Sequence, residues 1–210
     1  MKKFKFFFNL DKEEKWLNEM AKQGKVLSGK DFKYTFDQVN IKEKRIKIDY
    51  RTFKSKKDLE DYILLFEDSG WQHLAGNKNS GKQYFMKKDA HADGDIFSDQ
   101  LSKAERYKRM ADVWLSLAAM YLPIVFIFSQ ANIINFKLLL NPKSLYLTPG
   151  LWELSGSSFW KAFLFETPFA LGRGLAWLIF PTLIILYIVF AISAYMEYKK
   201  ITSDNNLENH

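Results

Sequence analysis

The sequence predicts an α+β domain followed by a two-helix transmembrane hairpin, and three observations carry that prediction. Two long apolar stretches, Ala111 to Ile134 and Leu175 to Met196, lie in the second half of the 210-residue chain. The first half instead alternates helix-period and strand-period hydrophobic patterns. Residues 1–100 also hold 21 of the 31 Lys+Arg and 17 of the 24 Asp+Glu, so the two halves are built for different solvents.

Taken in order, Lys3 to Asn9 reads as a buried strand. The basic start resembles a secretory signal, but the apolar run is too short and charge returns at Asp11. Asp11 is placed as the N-cap of a first helix, with Glu14 completing a capping-box pattern. Trp16, Leu17, Met20 and Ala21 share one helical face, and Gly24 is positioned to end the helix. Residues 32–36 and 45–51 alternate apolar and polar side chains as half-buried strands, joined by a polar hairpin loop from Asp37 to Glu43. A second helix repeats the first: Ser55 caps it, Asp58 follows three residues on, Leu59, Tyr62, Ile63 and Phe66 line one face, and Gly70 stops it. Strands at 71–74 and 83–86 complete the order βαββαββ, which predicts a ferredoxin-like sheet with both helices on one face. The domain is expected over residues 1–88, with an acidic-to-basic linker over 89–110.

The apolar stretches span 24 and 22 residues, Asp112 being the one charge in the first and none lying in the second. At about 1.5 Å per residue they reach roughly 36 and 33 Å, enough for a hydrocarbon core of about 30 Å. Pro123 and Pro181 are tolerable there, because no water competes for the freed carbonyls. The hairpin is expected over 111–196 with an extracytoplasmic loop at about 136–174, followed by a cytoplasmic tail, 197–210. Lys103, Arg106, Lys108 and Arg109 before the first span and Lys199 and Lys200 after the second outweigh the scattered Lys and Arg of the loop. That bias predicts a two-pass protein of the plasma membrane with both termini cytoplasmic.

Ser116, Ser129, Gln130 and Asn132 are polar positions in the first span. Either they form a helix–helix interface, in a homo-oligomer or with a larger partner, or the last of them already lie in the outer headgroup layer. In the loop, Trp152, Trp160 and Phe163, with Trp177 in the second span, are expected as interfacial anchors, and Ser157 to Phe165 suits a helix lying flat on the bilayer.

The first part of the chain resembles a bacterial family known as domain of unknown function 2812. The resemblance is carried by Glu14 to Ala21 followed by Gly24, then residues 32–36, Ile48 to Arg51, and Phe66 to Trp71, which together cover about the first 88 residues. The family's usual Trp after the helix-ending Gly is Lys25 here. The resemblance implies membrane spans after the domain and genes that neighbour a PadR-like transcriptional regulator. It implies no catalytic activity and no ligand.

Nothing in the residue pattern marks an active site. The absence of Cys excludes disulfides, zinc ribbons and thiol chemistry. His73, His91 and His210 are scattered. A calcium loop from Asp89 fails at its third position, His91, and at its twelfth, Gln100. Gly172-Arg173-Gly174 lacks the Lys-Ser/Thr of a phosphate loop. The aromatic residues could form a base-stacking platform, but strand 45–51 lacks the required glycine–aromatic pattern, so no direct nucleic-acid binding is expected. Asp49 and Arg51 read as a solvated sheet face. The sequence therefore predicts no cofactor and no enzyme, but a membrane-anchored regulatory or sensory adaptor that binds a protein partner, a PadR-like regulator among the candidates. The alternative is a non-catalytic accessory or structural subunit of a transporter or envelope complex.

Overall fold

A computed structural model describes residues 1–39, 45–88, 94–131 and 141–208, the side chains at 176, 177 and 208 aside. The chain is α+β and divides into two compact units, one of Met1–Val113 with Phe190–His210 and one of Trp114–Val189.

In the first unit, β1 (Lys2–Lys3), α1 (Leu10–Lys22), β2 (Lys25–Lys30) and β3 (Tyr34–Gln38) form one three-stranded sheet with its helix, in the strand order β1-β3-β2. Next, β4 (Ile46–Tyr50), α2 (Lys56–Asp68), β5 (Trp71–Ala75) and β6 (Lys82–Lys87) form a second, ordered β4-β6-β5. In each half the last strand lies between the other two and is antiparallel to both. The halves thus repeat one βαββ topology.

The repeat extends to detail. Both helices have 13 residues. Each is stopped by a glycine in the left-handed region, Gly24 (φ 76°) and Gly70 (φ 81°), where a side chain would be strained. Each second strand then carries a register irregularity, between Leu27 and Gly29 in β2 and between His73 and Ala75 in β5. Leu10, Leu17, Met20, Ala21, Leu27, Phe36, Ile46 and Ile48 form part of the core. Tyr62, Trp71 and Phe85 make a further cluster backed by Phe53, Leu59, Phe66 and Ile96.

Several sequence expectations change here. The first helix is capped by Asn9, whose side chain accepts from the Lys12 backbone N–H, so Asp11 falls inside the first turn. The capping box at Ser55 and Asp58 is present in full. Strand β2 was not foreseen, because Ser28, Gly29 and the polar ends of Lys25–Lys30 blur its period. The strands expected to pair as a central hairpin belong to different sheets: β3 joins β1 and β2, whereas β4 joins β6. The proposed hairpin loop lies largely at residues 40–44, outside the described residues. At the N-terminus only Lys2–Lys3 is strand; Phe4, Phe6 and Phe8 are exposed, so this segment is not a buried strand. Aromatic content signalled burial there, but pairing with Tyr34 and Thr35 ends after two residues.

Helix α3 (Gln100–Gln130) is continuous through Pro123, and α4 (Gly156–Glu208) is continuous through Pro168 and Pro181. The segment from Ser157 to Phe165 is thus part of a 53-residue helix, not a separate one. Two helical stretches, Gln100–Gln130 and Leu178–Leu207, are long and apolar enough to cross a membrane, with mean hydropathy 1.9 and 2.3 in their most apolar windows. Only 11% of either window is buried, unlike the central helix of a soluble globule. They are compatible with a two-pass membrane protein.

In the second unit α3 and α4 meet through aromatic rings. Trp114 stacks on Tyr187 at 5.6 Å, Tyr121 lies 5.9 Å from Tyr187 and 6.0 Å from Phe180, and Phe128 meets Phe180 at 5.5 Å. Positions 114, 121 and 128, like 180 and 187, repeat every seven residues, the interval that keeps one face of a helix on its partner.

Replacing Ser55 with Ala removes the cap of α2 and is expected to cost about 1 kcal/mol in thermal unfolding followed by circular dichroism. Gly81→Ala is expected to lower the midpoint further than Ser55→Ala. Its φ is 72° and an added Cβ would sit 2.5 Å from the Tyr50 ring.

Candidate functional site

The first unit contains a buried network of charge that joins α1, β4, β6 and the start of α3. It begins with three acids in the first turns of α1: Asp11, Glu13 and Glu14. Helix period places Glu13 and Glu14 against the sheet, where they are 0% and 7% exposed. Carboxylates this deep require partners for every oxygen.

Glu13 accepts from the Tyr34 hydroxyl at 2.5 Å and the Tyr84 hydroxyl at 2.7 Å through Oε1, and from Lys82 Nζ at 2.5 Å through Oε2. Burial, reinforced by the Glu13 charge, pushes both tyrosine pKa values well up, so these hydroxyls stay protonated donors. Glu14 Oε1 accepts from the Ile48 backbone N–H at 3.0 Å and from Arg106 Nη1.

Arg106 is the centre of the arrangement. It is fully buried, and its Nη1 also donates to the Ile48 carbonyl at 2.6 Å while Nη2 donates to Asp11 Oδ1 at 2.5 Å. Its guanidinium lies 5.1 Å from the Phe97 ring and 5.3 Å from that of Tyr107. Burial works against its charge, but Glu14 and Asp11 outweigh burial and its pKa rises. Tyr107, also buried, donates to Asp11 Oδ2 at 2.8 Å and accepts from the Asp11 backbone N–H at 3.1 Å. One turn further along α3, Arg109 donates to Asp49 Oδ1 at 2.7 Å and to the Tyr50 carbonyl at 2.8 Å. Asp49 also accepts from the Tyr62 hydroxyl at 2.6 Å, which ties α2 into the same network.

The sequence-predicted site residues fall on both sides of this network. Arg106 and Arg109, proposed as flank charges, are bound into the domain, whereas Lys108, Lys199 and Lys200 are exposed and Lys103 is partly so. Asp49, which the sequence places on a solvated sheet face, is 3% exposed, and Glu14, which it places in a capping box, is a buried acceptor. The segment read as a linker from 89 to 110 docks on the domain where it is described: Arg45 donates to the Gly94 carbonyl, Lys47 pairs with Asp95, and Ala104, Arg106, Tyr107 and Met110 are buried. His91 and the first five positions of the rejected calcium loop, 89–93, lie outside the described residues, as do Asn132 and His210. Of the proposed span-interface residues, Ser116 and Gln130 are exposed in the single chain and Ser129 is partly buried. The rings at 114, 121, 128, 180 and 187 make contact between α3 and α4. Their seven-residue spacing was the signal in the sequence that could have found them.

The anchor residues belong to the second unit. Trp152, 43% exposed, packs edge-on to Tyr146 at 5.2 Å, and Tyr146 stacks on Phe163 at 5.2 Å. Trp160 is 58% exposed, and the side chain of Trp177 lies outside the described residues. Beneath these rings Glu166 accepts from the Thr148 hydroxyl, the Leu147 backbone N–H and Arg173, and Arg173 also donates to the Leu145 carbonyl. The hydrogen bond from Thr148, then that from Arg173, holds the Glu166 carboxyl down at about 2. The loop is therefore folded onto α4, not merely apolar.

These features define a class: an α+β domain clamped by buried ion pairs onto a long helix that continues as an apolar segment. A family model described as "Protein of unknown function (DUF2812)" matches residues 9–119, more than half of the chain. The protein belongs to that family. The match ends beyond the α+β sheets and takes in Arg106 and Arg109, so the family unit includes the start of α3. No curated protein and no solved structure matches the chain.

Arg106→Met leaves Glu14 buried without its strongest partner and is expected to destabilise the domain by about 3–5 kcal/mol. Adding Glu14→Gln should recover part of that loss, a coupling readable in a double-mutant cycle of thermal unfolding. In the outer loop, the contribution of Glu166 is complete above its ordinary value of 4.5 and declines as pH falls towards about 2. Limited proteolysis of the loop should accelerate over that interval, and Glu166→Gln should flatten the dependence.

Proposed function

We propose that this chain is a two-pass plasma-membrane protein with both termini in the cytoplasm. Its α+β domain acts as a non-catalytic regulatory adaptor that binds a protein partner, a PadR-like transcriptional regulator being the leading candidate. The observation that carries this reading is the continuity of α3. Its first turns are locked into the domain by Arg106, Tyr107 and Arg109, and the same helix runs on as an apolar segment. A rotation or tilt of that segment acts directly on α1 and β4, because Arg106 binds Asp11, Glu14 and the Ile48 carbonyl. Coupling of this kind needs an element that both ends bias, and α3 is such an element.

The orientation rests on exposed Lys108, Lys199 and Lys200 at the two flanks. The two βαββ halves are, in this reading, tandem split βαβ units related to ferredoxin-like sheets. Alternate use of two similar halves would give a partner a large surface from a small domain.

Affinity purification of the full chain in mild detergent is expected to bring down a PadR-like regulator, and deletion of the gene to change that regulator's transcripts. Absence of both the complex and the transcriptional change would refute the adaptor reading.

A further inference from the structure

Three of the four aromatic residues at the N-terminus have no place in the core. Phe7 turns inward, 5.3 Å from Trp16 and 6.4 Å from Tyr34. Phe4, Phe6 and Phe8 turn outward and are 60%, 60% and 52% exposed. Phe32, in the turn between β2 and β3, joins them: it is 75% exposed and stacks on Phe4 at 5.0 Å. Phe6 and Phe8 meet edge to face at 4.6 Å. Four outward phenylalanines in two contacting pairs, on adjacent segments, form a patch of the kind that soluble monomers avoid.

Two further observations identify what covers it. Phe8 packs on Phe190 at 4.7 Å, and Phe190 lies within the apolar stretch Leu178–Leu207 of α4. The patch therefore continues the apolar surface of a candidate span. Exposed Lys2, Lys5 and Lys33 also alternate with the rings along the same two segments. Phenylalanine interleaved with lysine is the pattern that seats in the boundary between anionic headgroups and acyl chains.

We propose that Phe4, Phe6, Phe8 and Phe32, flanked by Lys2, Lys5 and Lys33, form a membrane-surface contact that inserts into the anionic cytoplasmic leaflet. The patch holds the first sheet of the domain at the bilayer. The inference rests on the two-pass reading, which alkaline carbonate extraction of native membranes tests separately: an integral protein stays in the pellet whatever the patch does.

The chain has no native cysteine, so single-site labels are unambiguous. Phe4→Cys, Phe32→Cys and Lys33→Cys, each in the full chain, would carry an environment-sensitive fluorophore in nanodiscs. The discs would hold phosphatidylcholine and phosphatidylglycerol with a trace of nitroxide-labelled lipid, and Lys57→Cys on the exposed face of α2 is the reference. The expected result is at least twofold stronger lipid quenching at positions 4, 32 and 33 than at 57, weakened in discs of phosphatidylcholine alone. Equal quenching at all four positions would overturn the proposal. So would labels at 4 and 32 that are shielded from water and unquenched by lipid but crosslink between two chains, since a second copy would then cover the patch.

Discussion

Arg106 holds a full positive charge where no solvent reaches it, and much of the domain is arranged around that fact. A buried guanidinium is tolerable only when acceptors surround it in fixed geometry. Here three acceptors come from two places far from it in the chain: Asp11 and Glu14 in the first helix, and the Ile48 carbonyl in the fourth strand. The hydrogen bonds of its two terminal nitrogens, Nε having no partner among the described residues, thus tie α1, β4 and α3 together. Arg109 extends the same logic through Asp49 to Tyr62 and so to α2.

The network also explains how two similar βαββ halves came to differ. The two helices correspond in length, in their capping and in the glycine that stops them. Their inner faces do not correspond. The face of α1 carries Glu13 and Glu14 because Lys82, Tyr34, Tyr84 and Arg106 await them. The face of α2 is apolar, with Leu59, Tyr62 and Phe66 around Trp71 and Phe85. The helix of the first half thus binds α3 through charge, with β4 of the second half supplying further acceptors, while α2 packs on a hydrophobic core.

A charged clamp suits a helix that leaves the domain as an apolar segment. Apolar contact alone is non-directional at the level of the individual group. Arg106 instead spreads its donors over Asp11, Glu14 and the Ile48 carbonyl, and such charge-assisted hydrogen bonds are directional. In the second unit the rings at 114, 121 and 128 pack against those at 180 and 187.

What the sequence by itself determined was local or compositional. The two apolar stretches, the cap at Ser55, the stops at Gly24 and Gly70 and the family membership could be read because each is written in contiguous residues. Tertiary structure alone decided which strands pair, which charges are buried and which phenylalanines face outward. Arg106 and Glu14 stand 92 positions apart, and each looks like an ordinary surface charge until the fold brings them together. Phe7 and its neighbours Phe6 and Phe8 are identical in chemistry, and only the early end of β1 sends one inward and the others out. Local pattern sets the backbone's state, but a side chain's partner is set by complementarity across distant segments, which no window of sequence contains.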